Sequence, residues 1–324
     1  MRNTFLAALL LLAGPAWAQG KPAAHSPTQI VADAPKSDWL AIAPSDLLVM
    51  DLAPDARGKA RRVVIQLMPA PFSQGWVGNV RTLAAARFWD GLSVYRVQDN
   101  YVAQWGDAEG EDAKKAKALP AGLAVVPEAT YSTPRERVLL ARSDGSRVDP
   151  PARWQVLAKP LADPYSREAG VTASGWPVAS DGNALWPVHC YGMVGVARNL
   201  SPDTGTGAEL YAVIGHAPRQ LDRNIALVGR VIEGIEHLSS LPRGTGASGF
   251  YEKAEERTPI RSVRSGEAVG DLPAYEVLST ESDRFSRYAE ARANRRDPFF
   301  IVPAGGADVC NVPVPVRRVA PLSH

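Results

Sequence analysis

The stretch SVYRVQDNYVAQWGD, from Ser93 to Asp107, sets one arginine, Arg96, among apolar and aromatic residues and ends in a glycine turn. A guanidinium on a strand of Val, Tyr and Trp costs free energy unless something uses it. Two chemistries fit these residue types. One is an edge-strand ion pair with a carboxylate. The other is a ligand site: past the kink at Asp99 and Asn100, Tyr101 and Gln104 return toward Arg96 and set an apolar face and an amide beside one fixed cation. Strict strand alternation places Val94 and Arg96 on one face, with Tyr95 and Val97 on the other.

Stronger signatures are missing from the sequence. It has no HExxH, no paired CxxC, no G-x-S-x-G elbow and no Walker-type loop. The glycine-rich PRGTGASGF, Pro242 to Phe250, neither follows a strand nor opens a helix, and reads as a turn. The five histidines, His25, His189, His216, His237 and His324, have no metal-ligand spacing. His189 and Cys190 are adjacent, so on a strand they point to opposite faces and do not act together. No metal and no cofactor are expected.

The elements that position Arg96 read as mainly β. DLLVMDLA and RRVVIQLM flank the turn-like PDARGKA and predict a hairpin. FSQGWVGNVRTLAAARFW, Phe72 to Trp89, spaces Trp76, Val77, Val80, Leu83, Ala84 and Phe88 as one amphipathic helix. LSVYRVQ and YVAQWGD follow as strands, as do YGMVGVAR, ELYAVIG and NIALVGRVI, with a short helix over 233–241 and a closing strand at PIRSVR. Many short strands with two clear helices predict a closed antiparallel β-barrel capped by those helices. Residues 108–188, rich in Pro, Asp, Ser and Gly around strand-like pieces such as RVLLAR, read as a long insertion packed on the main body.

Two stretches carry a family likeness. RRVVIQLMPAPFSQGWVGNVRTLAAARFWDGLSVYRVQDNYVAQWGD and YGMVGVARNLSPDTGTGAELYAVIGHAPRQLDRNIALVGRVIEGIEHL, together roughly a third of the chain, resemble in order the two active-site halves of the cyclophilin family of peptidyl-prolyl isomerases. The resemblance implies a role for each matching position. Arg96 falls on the catalytic arginine, Tyr101 on an aromatic of the proline pocket, and Gln104 on the glutamine that bonds the substrate backbone. Val102 falls on a pocket methionine, Ala197 on a backbone contact, Tyr211 on a second pocket aromatic, and Leu221 on a pocket leucine. Three positions depart from the better-known pattern: Glu209, at a substrate-binding position, replaces a frequent Gln, Gln220 a frequent Trp, and Ile225 a frequent His. They bear on peptide preference, rate and sensitivity to cyclosporin-like ligands. The implied partners are proline-containing polypeptides. The competing reading is a non-catalytic peptide-binding or chaperone module using the same groove, which Glu209 and Ile225 favour; for an unrelated hydrolase there is no nucleophile motif.

The ends of the chain set the context. Residues 1–18 combine Arg2, an apolar run from Phe5 to Ala13 and small residues at Ala16 and Ala18, and read as a signal peptide cut after Ala18. The apolar run is too short to span a bilayer, so the mature chain is expected to be exported, to the periplasm, without stable membrane insertion. Residues 19–45 read as an N-terminal arm, 46–266 as the cyclophilin-like domain, and 267–324 as an extension with a helix started by Ser282 and an extended Pro/Val tail. Cys190 and Cys310 are the only cysteines of the 324 residues. In an oxidising compartment they are expected to pair, two separate buried thiols being the alternative. Lys and Arg number 36 against 34 Asp and Glu, so no whole-protein field favours nucleic acid.

Overall fold

The computed structural model describes residues 24–139, 154–156 and 165–320; the expected signal peptide lies outside them. Along the chain come α1 (Pro27–Ala32), β1 (Trp39–Ile42), β2 (Leu47–Leu52), β3 (Arg61–Leu67), α2 (Gln74–Ala85), β4 (Ser93–Val97) and β5 (Val102–Gly106). The insertion adds β6 (Thr133–Pro134), α3 (Arg135–Leu139), β7 (Trp154–Val156), β8 (Glu168–Thr172), β9 (Pro177–Ser180) and β10 (Ala184–Pro187). β11 (Met193–Val196), β12 (Leu210–Val213), β13 (Leu227–Glu233), α4 (Glu236–Ser239) and β14 (Thr258–Ser265) complete the body. The extension holds β15 (Tyr275–Leu278), α5 (Asp283–Ala293) and β16 (Val316–Arg318).

Eight strands close an antiparallel barrel in the order β11-β12-β5-β4-β14-β2-β3-β13. β2 and β3 pair in register from Leu47 with Gln66 to Leu52 with Arg61, the predicted hairpin. These strands are nearly continuous apolar runs because both of their faces are covered. Leu48, Met50, Leu52, Val63, Ile65 and Leu67 point into the main core. Leu47 and Val64 pack instead with Ile42, Tyr275 and Val277. That second cluster joins the barrel to a three-stranded sheet, β1-β15-β16, built from the N-terminal segment and the extension.

The segment before the barrel, expected to be an N-terminal arm, is thus folded from Ser26 onward. Ser26 starts α1 with a reciprocal cap, its Oγ accepting from the Gln29 N–H while the Gln29 side chain accepts from the Ser26 N–H. α1 packs on α5, which Ser282 caps as its sequence predicts. The tail is extended, and Val316–Arg318 pairs with β15.

The insertion forms a five-stranded sheet, β6-β10-β9-β8-β7, against the body. Buried Asn79 of α2 accepts from the Ala124 N–H and donates to the Ala124 carbonyl, tying the insertion to the helix. Arg230 of β13 donates to the Gly175 carbonyl at 2.6 Å and lies 4.5 Å from the Trp176 ring centre. RVLLAR, read as strand-like, begins inside α3, which follows Pro134 and carries Glu136 in its first turn. Cys190 and Cys310 form a disulfide, as the sequence predicts, fastening the extension to the segment just before β11.

The two capping helices are shorter than their periodicity. α2 runs from Gln74 to Ala85, because Ser73 and Arg87 on either side take positive φ angles of 54° and 56°. The helix expected over 233–241 is one turn. Gly234, at φ 82°, must pass the Arg62 carbonyl so closely that a Cβ would lie 2.0 Å from its oxygen. Among the described residues no helix is long and apolar enough to cross a membrane.

Candidate active site

β4, β5 and β12 lie side by side in the barrel, with Arg96 facing Gln104 and Gln104 facing Tyr211 across the ladder. A register shift between Val94 and Arg96, where β4 pairs with β5, breaks the alternation. Tyr95 and Arg96 therefore both line one cavity, rather than opposite faces of the strand. The cavity holds about 890 Å³, within the usual range for a ligand site. Its walls include Arg96, Tyr101, Val102, Gln104, Ala197, Glu209, Tyr211 and Leu221, so the structure brings all eight sequence-derived positions together.

One side is apolar. Val102, Tyr211 and Val213 are buried as a small cluster, against which Tyr101, Ala197 and Ile225 pack. Ile225, where a histidine is frequent in the family, thus adds aliphatic surface to the wall. Gln220 is exposed and does not line the cavity. Leu221 ends the turn Arg219–Leu221 and closes the wall.

The other side is a hydrogen-bonded cation. Arg96 donates from Nη1 to Gln104 Oε1 at 3.0 Å, from Nη2 to Gln98 Oε1 at 2.5 Å, and from Nε to the Ser248 carbonyl at 2.8 Å. Its guanidinium carbon lies 5.8 Å from the Tyr101 ring centre and 5.1 Å from that of Phe250. Burial lowers its pKa from the ordinary guanidinium value, opposed by Tyr101 and Tyr95. Among the described residues no carboxylate pairs with Arg96, so the edge-strand ion pair is not formed. A half-buried guanidinium held by neutral acceptors keeps its charge for whatever enters the cavity.

Behind this surface lies a chain of polar groups. Gln104 donates from Nε2 to the Tyr95 hydroxyl at 2.6 Å, and that hydroxyl donates to Glu209 Oε2 at 2.6 Å. Glu209 Oε1 accepts from the Asp107 N–H at 2.7 Å. Burial pushes Glu209 up to about 7, although the bonds from Tyr95 and Asp107 oppose the rise.

Several of these residues escape sequence reasoning. The turn Pro242–Phe250 is a turn, yet it runs beside β4, where Gly244 donates to the Val97 carbonyl, and delivers the Ser248 carbonyl and the Phe250 ring to Arg96. Gly249, at φ 80°, must stand there because a Cβ would come within 2.6 Å of the Gln98 Cα. His189, whose adjacency to Cys190 carries no joint chemistry, is fully buried: its Nε2 lies 3.0 Å from the Tyr211 hydroxyl and its Nδ1 2.9 Å from Asp222 Oδ1. Arg219 Nε donates to Asp222 Oδ2 at 2.7 Å. The first part of the insertion, including Glu109, Lys117 and Leu119, forms a further wall of the cavity.

The family profile described as cyclophilin type peptidyl-prolyl cis-trans isomerase/CLD matches residues 58–265. No curated protein matches the sequence. Among solved structures, a cyclophilin from Hirschia baltica is similar with a TM-score of 0.63 at 20% identity, covering 91% of this chain and 97% of its own. A cyclophilin type peptidyl-prolyl cis-trans isomerase from Cryptosporidium parvum, crystallised in the presence of the dipeptide Ala-Pro, gives a TM-score of 0.36 at 11% identity over 67% of this chain and 98% of its own. At 20% identity the likeness to the Hirschia baltica structure speaks to the fold, whereas the profile spans more than half of the chain and every barrel strand except β2. The chain therefore belongs to the cyclophilin family and is a peptidyl-prolyl cis-trans isomerase.

Proposed function

We propose that this isomerase acts on Xaa-Pro bonds of exported polypeptides as they fold, and that Arg96 catalyses the rotation by donating to the prolyl nitrogen. Rotation about the bond crosses a barrier of about 18–20 kcal/mol set by amide resonance, and uncatalysed exchange takes tens to hundreds of seconds. In the twisted transition state the nitrogen becomes pyramidal and regains its lone pair. A donor aimed at that lone pair stabilises the twisted form more than the planar one, which is the requirement for catalysis.

The observation that carries this reading is the set of bonds on Arg96. Gln104, Gln98 and Ser248 each take one N–H, and a guanidinium has five. Fixed by these three acceptors beside the wall of Tyr101, Val102, Tyr211 and Leu221, it has donors left for a ring nitrogen lodged against that wall. Gln104, already bonded to Arg96, would also grip the substrate backbone. The signal-like residues 1–18 and the Cys190–Cys310 disulfide support an oxidising, exported setting.

Cis/trans exchange of an Xaa-Pro peptide, measured with the mature protein and with Arg96→Ala, tests the role. Removing one preorganised donor is expected to lower kcat/KM by about 100- to 1,000-fold. Equal rates for the two proteins would sink it. Peptide binding by both with no acceleration by either would favour a groove that binds without catalysing.

A further inference from the structure

Glu209 is a largely enclosed ionisable group on the cavity wall for which isomerisation has no direct use. Its two oxygens are taken by protein donors, Oε2 by the Tyr95 hydroxyl and Oε1 by the Asp107 N–H. Tyr95 in turn accepts from Gln104 Nε2, and Gln104 Oε1 accepts from Arg96 Nη1. All three side-chain bonds run in one direction, from the guanidinium end of the cavity toward the carboxylate at 3.0, 2.6 and 2.6 Å for the Arg96, Gln104 and Tyr95 links. An amide side chain has one accepting end and one donating end. Whichever way the Tyr95 hydroxyl points therefore decides which end of Gln104 meets Arg96.

We propose that Glu209 is a positioning residue for Arg96 through Tyr95 and Gln104, its carboxylate form turning the Gln104 carbonyl toward the guanidinium and its protonated form turning the Gln104 NH2 there instead. The proposal rests on the reading of Arg96 as catalytic. With a proton on the carboxyl, Oε1 stays with the Asp107 N–H and the new O–H donates to the Tyr95 oxygen. The Tyr95 proton then goes to Gln104, whose amide must rotate to accept it. Two donors then face each other where one charge-assisted bond stood.

The backbone next to the carboxyl is shaped to admit it. Gly106, at φ 149°, opens the space that Glu209 fills, since a Cβ there would lie 2.0 Å from Oε2. Three charged or titratable groups face the relay: Tyr95 on β4, raised by burial and by Glu209; Asp107 just past β5, which pushes Glu209 up; and Arg96 behind Gln104. The Asp107 carboxylate is itself held by the Glu109 and Lys117 N–H groups. Burial pushes Glu209 up to about 7, so the proposal places the reversal of the relay near neutral pH.

The test follows the Gln104 side-chain NH2 and Arg96 Nε–H signals by 15N NMR from pH 5.5 to 8.5, beside kcat/KM for Xaa-Pro exchange, in wild type, Glu209→Gln and Tyr95→Phe. Glutamine at 209 keeps its oxygen for the Asp107 N–H and offers NH2 to Tyr95, the direction of the protonated relay. In wild type the Gln104 signal and kcat/KM are expected to move together around pH 7, with kcat/KM about tenfold higher on the alkaline side. In Glu209→Gln both are expected to be flat, with kcat/KM at the acid-side level; in Tyr95→Phe the dependence is lost as well. Histidines common to all three proteins cancel in the comparison. A flat Gln104 signal in wild type, or the same midpoint surviving in Glu209→Gln, overturns the proposal. A Gln104 titration with no catalysis at any pH supports the relay and overturns instead the catalytic role of Arg96.

Discussion

Replacing Tyr211 by phenylalanine takes one oxygen from the apolar wall of the cavity and leaves a buried histidine without its partner. His189 has no solvent exposure. Its Nδ1 and its backbone N–H both lie within 3.0 Å of Asp222 Oδ1, and because a carboxylate only accepts, Nδ1 carries a proton. In the neutral ring Nε2 then accepts the Tyr211 O–H at 3.0 Å. Water cannot replace that bond at a site with zero exposure, so Tyr211→Phe should cost about 1–3 kcal/mol, seen as a fall in Tm of about 2–4 °C for each kcal/mol. His189→Phe removes the same bond and the link to Asp222 as well. The latter loss is the same whether residue 211 is Tyr or Phe, so it drops out of a double-mutant cycle. Urea unfolding of wild type, both single variants and the double variant should give a coupling of about 0.5–3 kcal/mol. The phenyl ring still packs on Val102 and Val213, so KM should rise only a few-fold in Tyr211→Phe. Additive single costs would refute the anchoring of the pocket wall by His189; so would a large loss of kcat with unchanged stability.

Two further outcomes follow from the same geometry. The Cys190–Cys310 bond closes a sequence separation of 120 residues, and Cys190→Ser with Cys310→Ser is expected to cost about 2–4 kcal/mol; an unchanged Tm under oxidising conditions would count against it. Glu209 is raised in the folded protein from an ordinary 4.5 to about 7, so its contribution to stability is fully present below about pH 4.5 and is lost as pH rises through 7. At 1.36 kcal/mol per pKa unit, Glu209→Gln should gain about 2–3 kcal/mol on wild type between pH 5 and pH 8, and a pH-independent difference in urea unfolding would contradict it.

The residues that sequence makes legible are those whose neighbours along the chain carry the signal. Arg96, Tyr101 and Gln104 lie within nine positions of one another, and the β2–β3 hairpin, α2 and the Ser282 cap are each set by a local pattern. Legibility fails where a long-range partner decides. Trp39 pairs with Leu278 and Tyr275 with Arg318, pairings that no local period encodes, so the sequence of the N-terminal segment reads only as an arm. Strand alternation puts Tyr95 on the face opposite Arg96, but one irregularity opposite β5 overrides that period of two. The Pro242–Phe250 turn is legible as a turn, but its place beside β4 depends on contacts such as that of Tyr251 N–H with the Tyr95 carbonyl.

The departures from the better-known family pattern look different once their surroundings are on the page. Taken singly, a Glu for Gln at 209 and an Ile for His at 225 read as erosion of a catalytic groove. In the structure each has its own compensation. Ile225 packs beside Val102 and Tyr211 and enlarges the apolar wall. Glu209 has a hydroxyl, a backbone N–H and a glycine arranged around its carboxylate. An enclosed carboxylate with no such partners would be expected to cost several kcal/mol. What Tyr95 and Gly106 do serve is the link from Glu209 through Gln104 to Arg96. The substitution at 209 is therefore better understood as one part of a four-residue unit than as the loss of a contact, and only variants that break the unit at different links can separate the two.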